Sequence, residues 1–119
     1  MEIGEKIKIV PKGWGYEKWI VNNDLYCGKL LFIAQGHKIS WHVHRLKTET
    51  FWILRGKVQL NYGYDEDINN SNMKILDVGA RFDVPIGLIH RLTAIQDSEI
   101  IEFSTHHEDS DSYRIIKGD

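Results

Sequence analysis

Ten short β-favouring runs, each closed by a turn signal, leave this chain little choice of architecture. They cover residues 7–10, 19–21, 25–34, 39–44, 50–54, 58–62, 73–76, 81–84, 90–94 and 99–103. Val, Ile, Leu, Phe, Tyr and Trp dominate them, while Asn22-Asn23-Asp24, Gly56, Gly79 and Gln96-Asp97-Ser98 stand between them. No stretch keeps a helical period for more than about two turns. Many short strands at close spacing pack as a sandwich or barrel, and 119 residues suffice for one domain with a buried core. The expectation is one all-β domain over residues 1–119. The Asp- and Asn-rich interval 65–72 reads as an exposed loop, and segment 112–116 of the tail as a last strand or a cover for the barrel.

Charge and cysteine content narrow the partners. Fifteen Lys and Arg against 17 Asp and Glu give a net charge of −2, with no basic block. That balance argues against a nucleic-acid partner or an anionic membrane surface. The opening residues Met1-Glu2-Ile3-Gly4-Glu5-Lys6 lack the apolar run of a secretory leader, and nowhere do eighteen apolar residues run together. A single cysteine, Cys27, makes no internal disulfide and reads as a small buried apolar residue. The expectation is a soluble cytoplasmic protein.

Four residues carry the chemistry. His42 and His44 are two apart in a β-favouring run, so a strand places both imidazoles on one face. Glu49 opens the next run, and a tight turn at Leu46-Lys47 would return its carboxylate beside them. His90 follows the Pro85-Ile86-Gly87 turn by three residues. Three imidazoles and a carboxylate suit one divalent transition metal, Zn, Mn, Fe or Ni, with Cu also compatible. Four donors leave an octahedral shell open for water or substrate, as a catalytic metal requires.

The spacing of these residues resembles the two signatures of the cupin superfamily. Gly36, His42, His44, Glu49 and Gly56 match the first; Gly79, Pro85, Gly87 and His90 match the second. The resemblance implies a cupin double-stranded β-helix, a jelly-roll barrel, holding one metal on His42, His44, Glu49 and His90. One departure is Ala94, where the second signature usually has Asn. The four signature glycines suit turns that need positive φ.

The whole chain further resembles the C-terminal cupin domain of mannose-6-phosphate isomerase / mannose-1-phosphate guanylyltransferase enzymes. The matching residues are Gly13-Trp14-Gly15-Tyr16-Glu17, Lys29 seven before Gly36, Ser40, His44, Glu49, His90-Arg91-Leu92 and Ile101-Glu102-Phe103. His42 departs from that family, which usually carries Gln there, and no nucleotidyltransferase segment is included. The resemblance implies an aldose–ketose isomerase acting on a sugar phosphate or another small compound of sugar-nucleotide metabolism. Glu102, Lys29 and a metal-bound hydroxide are the candidate proton carriers, since Glu49 is committed to the metal. Lys38, Ser40 and Arg91 are the candidate substrate-binding residues. Parity puts Lys38 and Ser40 on the face of His42 and His44, whereas Arg91 alternates away from His90. A charge at Glu102, between Ile101 and Phe103, needs a partner or a task if it faces the core.

Parity also turns Trp41 and Trp52 away from the metal face. Outward aromatics on a small barrel raise the expectation of a homodimer covering them. Two other functional classes fit the same residues. An iron-dependent dioxygenase would use the same four donors, and a non-catalytic metal-stabilised cupin would bind a small molecule or a partner. Lys38, Ser40 and Glu102 as inward polar residues count against the last, and four intact ligands count against a metal-free sugar-nucleotide epimerase.

Overall fold

The computed structural model describes residues 6–119; residues 1–5, most of the polar opening segment read above, lie outside the described residues. The strands are β1 (Lys8–Lys12), β2 (Gly15–Asn22), β3 (Cys27–Ile33), β4 (Trp41–Val43), β5 (Glu49–Arg55) and β6 (Lys57–Gly63). They continue with β7 (Asn72–Asp77), β8 (Arg81–Val84), β9 (Ile89–Ala94), β10 (Ser98–Ser104) and β11 (Tyr113–Ile116). Two 3-10 turns, Ile68–Asn70 and Asp109–Asp111, complete the elements. Ten of the strands answer the ten runs of the sequence. The tail adds β11, and the 65–72 interval is a loop pinned by its 3-10 turn.

The strands form two antiparallel sheets, one ordered β1-β2-β3-β10-β5-β8 and the other β11-β4-β9-β6-β7. This is a two-sheet jelly roll, with partners drawn from distant parts of the chain. Glu102 in β10, for example, stands opposite Lys29 in β3 on one side and Phe51 in β5 on the other. No helix of the described residues is long and apolar enough to cross a membrane.

Period-two patterning decides what points inward. In β3 the buried residues are Cys27, Lys29, Leu31 and Ile33; in β5 they are Glu49, Phe51 and Ile53. Leu31, Ile33, Phe51, Ile53, Val58, Leu60, Leu92 and Ile100 join Trp14 and Val84 in one apolar cluster between the sheets. Each large side chain buried there contributes about 1.5–3 kcal/mol. The same inward faces carry polar side chains, Lys29, Glu49, His90 and Glu102, and these mark where the apolar filling gives way to the site.

Turn chemistry holds the frame. Gly36, Gly56, Gly79 and Gly87 all have φ between +81° and +88°. At Gly56 the need is also steric, because a Cβ there would lie 2.3 Å from the Asp97 carbonyl oxygen and the Ser98 hydroxyl. Any side chain would push the β5–β6 connection off β10.

Outward parity holds for both tryptophans, but their surroundings differ. Trp41 is fully buried in a second cluster with Val43 and Ile89, covered by Ile68 and Ile115 of the same chain. Its indole N–H donates to the Glu66 carbonyl at 2.8 Å. The chain itself therefore covers Trp41. Trp52, on the other sheet, is 38% exposed.

Candidate metal centre

His42 and His90 stand opposite each other in the β4–β9 pair, and His44 follows β4 by one residue. Glu49 opens β5 in the other sheet, so the four donors bridge the two layers at one end of the sandwich. All four are buried, and one donor atom from each lies within 4.8 Å of the others.

Backbone carbonyls set the imidazoles. The Nδ1–H of His42 donates to Ser40 O at 2.9 Å, that of His44 to Asp111 O at 3.1 Å, and that of His90 to Leu88 O at 3.0 Å. Each bond leaves Nε2 as the unprotonated, lone-pair nitrogen. The Ser40 hydroxyl also lies 3.1 Å from His42 Nδ1.

What converges on the centre is therefore acceptors without donors. His44 Nε2 and His90 Nε2 approach Glu49 Oε1 at 2.9 and 3.4 Å. Yet Glu49 Oε1 and His90 Nε2 are buried without a hydrogen-bond partner. Buried unsatisfied acceptors are costly, and a cation among them removes the cost. Burial, then the His90 and His44 rings, push the His42 imidazole well below its ordinary pKa, which keeps it neutral and ready to ligate. Burial opposes ionisation of Glu49, and the Lys47 ammonium, 3.9 Å from its Oε2, favours it. Three imidazoles and one carboxylate fit a single divalent transition metal, whose identity these donors leave open.

A cavity of about 730 Å³ opens over His42, His44 and Glu49. Lys29 and Glu102 line it, as does Ser40. Lys29 Nζ lies 3.7 Å from Glu17 Oε1 and 4.1 Å from the centre of the Trp19 ring. Glu102 is buried, and Lys47 Nζ donates to its Oε2 at 3.3 Å. Burial, then the charge of Glu49, push the Glu102 carboxyl up to about 7 against the pull of Lys47 and Lys29.

Two expected residues stand elsewhere. Lys38 is exposed, and its backbone forms a bridge to Thr93. Regular pairing of β4 begins only at Trp41, so the alternation read across residues 39–44 does not extend back to Lys38. Arg91 is buried but faces away from the cavity. Its Nε donates to Ile39 O at 2.9 Å and its terminal nitrogen to Lys117 O at 3.2 Å, which ties the tail to the barrel.

Sequence reasoning missed Lys47, His107 and Asp111. Lys47 is not part of an exposed turn but buried, with its ammonium 2.8 Å from His107 Nδ1 and 3.9 Å from Glu49 Oε2. A signal for it existed: Lys47 shares the parity of Glu49 and Phe51. His107 accepts from Lys47 and, through Nε2, meets Asp109 Oδ1 at 2.9 Å. Burial, then Lys47 and Lys29, bring its imidazole down to about 4. Nothing in the polar tail marks His107 or Asp111 before the fold brings them under the barrel.

No known family model matches this chain, and neither does any curated protein sequence. Solved structures do. KdgF from Halomonas sp. superposes with a TM-score of 0.73 at 15% identity, over 89% of this chain and 92% of that one. An RmlC-like cupin from Shewanella frigidimarina gives 0.74 at 18% identity, over 92% of each. Oxalate decarboxylase from Bacillus subtilis gives 0.77 at 13% identity, over 91% of this chain but 30% of the enzyme. Two jelly-roll sheets, these likenesses and four convergent buried donors make the chain a small cupin-fold domain with a site for one divalent metal.

Proposed function

We propose that this metal-binding cupin is an aldose–ketose isomerase for a small sugar phosphate, close in chemistry to mannose-6-phosphate isomerases. The observation that carries the reading is the buried Glu102 carboxylate, held by Lys47 in the cavity over the four donors. A divalent metal held by His42, His44, Glu49 and His90 would supply Lewis-acid stabilisation of charge developing on a substrate carbonyl. Glu102 takes the proton from the carbon beside the carbonyl, the electron pair moves to the carbonyl oxygen, and an enediolate forms. Return of that proton to the former carbonyl carbon, with the proton of the neighbouring hydroxyl passing to the former carbonyl oxygen as the second carbonyl forms, completes the isomerisation. A carboxyl with a pKa near 7 both accepts and gives back a proton at neutral pH.

Cations around the cavity support an anionic substrate. Lys29 and Lys47 lie inside, and Lys12, Arg114 and Lys117 also line it. A phosphate would be drawn to them.

The first test is elemental analysis of protein purified without chelators, followed by turnover assays on hexose phosphates. About one equivalent of metal is expected, lost in His44→Ala while the β-fold persists. Glu102→Gln should retain metal and lose about 100-fold or more in turnover. Metal-loaded protein inert toward every hexose phosphate would end the isomerase reading. The alternative is an iron-dependent dioxygenase, favoured by the open shell that four donors leave; iron content with substrate-dependent oxygen uptake would establish it.

A further inference from the structure

The tail contributes a residue to the metal centre that neither the ligand set nor the cavity chemistry accounts for. Asp111 is 2% exposed, while its neighbours Glu108, Asp109, Ser110 and Tyr113 are exposed. Its carboxylate accepts from the backbone N–H of Arg45 at 2.9 Å, of Leu46 at 3.1 and 3.2 Å, and of Lys47 at 3.2 Å. Its own carbonyl accepts the Nδ1–H of His44 at 3.1 Å. One residue thus holds three successive amides of the connection between two ligands and fixes the ring of the first.

The arrangement is expensive to build. A buried carboxylate forfeits its hydration, and three amides recover only part of that. Residues 45–48 must nevertheless return Glu49 to His44 across the gap between the sheets. Without Asp111 the Arg45, Leu46 and Lys47 amides would have no partner in this arrangement. The strap that carries Asp111 is secured on both sides. Before it, the Asn22 side chain joins β2 to both the N–H and the carbonyl of His107. After it, β11 pairs with β4, Tyr113 opposite Val43 and Arg114 opposite His42, and Arg91 grips the carbonyl of Lys117.

We propose that Asp111 is a positioning residue of the metal centre, presetting the His44–Glu49 connection and the His44 ring so that the donors meet the metal without rearrangement. The proposal rests on the metal reading of the four donors. Its consequence is that metal affinity and coordination geometry depend on a tail residue that touches no metal.

Asp111→Asn is the decisive variant. It keeps the size of the side chain and one acceptor oxygen but sets an NH₂ group against the Leu46 and Lys47 amides. Tyr113→Ala is the control, because it removes the Tyr113 ring from the Arg45 guanidinium, 4.7 Å away, and leaves the amide contacts alone. Three quantities are measured on each full-length protein: the apo thermal midpoint, Zn(II) affinity by competition with a chromophoric chelator, and the visible spectrum of the Co(II) form. The expected result is a 10- to 100-fold loss of Zn(II) affinity and a changed Co(II) spectrum in Asp111→Asn, the range typical of residues that orient ligands. Tyr113→Ala keeps both wild-type values. Wild-type affinity and spectrum in Asp111→Asn would overturn the proposal, as would equal losses in both variants, which would mean general loosening of the tail. An Asp111→Asn protein that fails to fold at all would equally overturn it, by showing a global structural role. Wild-type protein that takes up neither Zn(II) nor Co(II) would instead overturn the metal reading on which it stands.

Discussion

The two sheets treat their outer faces differently, and the pair Trp41 and Trp52 shows how. Both tryptophans alternate away from the metal ligands of their own strands, and both stand on an outer face. Trp41 is fully buried, whereas Trp52 is 38% exposed. On the β11-β4-β9-β6-β7 sheet, the outer face around β4 and β9 is covered by the chain itself, through the Ile68–Asn70 turn and β11, while Met73 and Ile75 of β7 stay exposed. The outer face of the other sheet presents Trp52, Leu54 and Phe103 to solvent. Alternation fixes which way a side chain points. What lies over it is decided by segments far away in sequence, here 27 residues on for Ile68 and 74 for Ile115.

The comparison breaks most easily at Trp41. Trp41→Ala removes a fully buried indole and leaves the Glu66 carbonyl without its donor. A loss of about 3–5 kcal/mol is expected in denaturant unfolding of the apo protein. A loss below about 1.5 kcal/mol would mean that the loop and tail do not cover this face in solution. Ile68→Ala tests the cover from the other side. Ile68 is half-buried, so the cost should fall to about 1–2 kcal/mol, below the usual range for a core isoleucine. No change there would show that the 65–72 loop rests on Trp41 without stabilising it.

The same distinction governs how much of the molecule was legible in the sequence. Ten strands and the four metal donors are local features: short apolar runs, a two-residue histidine spacing, a turn before His90. Glu102 and Lys29 were picked out by the family resemblance and, for Glu102, by a charge set between Ile101 and Phe103; their shared inward phase with Ile100, or with Leu31 and Ile33, emerges with the strands. Lys47 had a signal of phase, with Glu49 and Phe51, but a turn assigned to Leu46-Lys47 hid it. Lys38 gave a false signal, because its alternation with Ser40 assumed a strand that starts only at Trp41. Asp111 and His107 had no local signal at all. Their place follows from the return of the tail beside β4, and alternation does not encode that return. Arg91 lies between these cases: its outward direction was readable, but its role as an anchor for the tail was not.

Trp52 is where the smallest effect is expected and where the result says most about partners. Its indole lies on a sheet surface beside Ile101 and Arg81, with solvent above. Trp52→Ala therefore loses only lateral packing and the strand preference of an aromatic residue, together about 1 kcal/mol. The unfolding midpoint should also be independent of protein concentration if the face is bare. A loss above about 2 kcal/mol that grows with protein concentration would mean that a second copy of the chain covers this sheet, the homodimer that outward aromatics raise as an expectation. The two sheets would then be alike after all, one covered by its own tail and loop and the other by its twin. A small, concentration-independent loss would keep them different, with the tail and the 65–72 loop covering one sheet and solvent meeting the other.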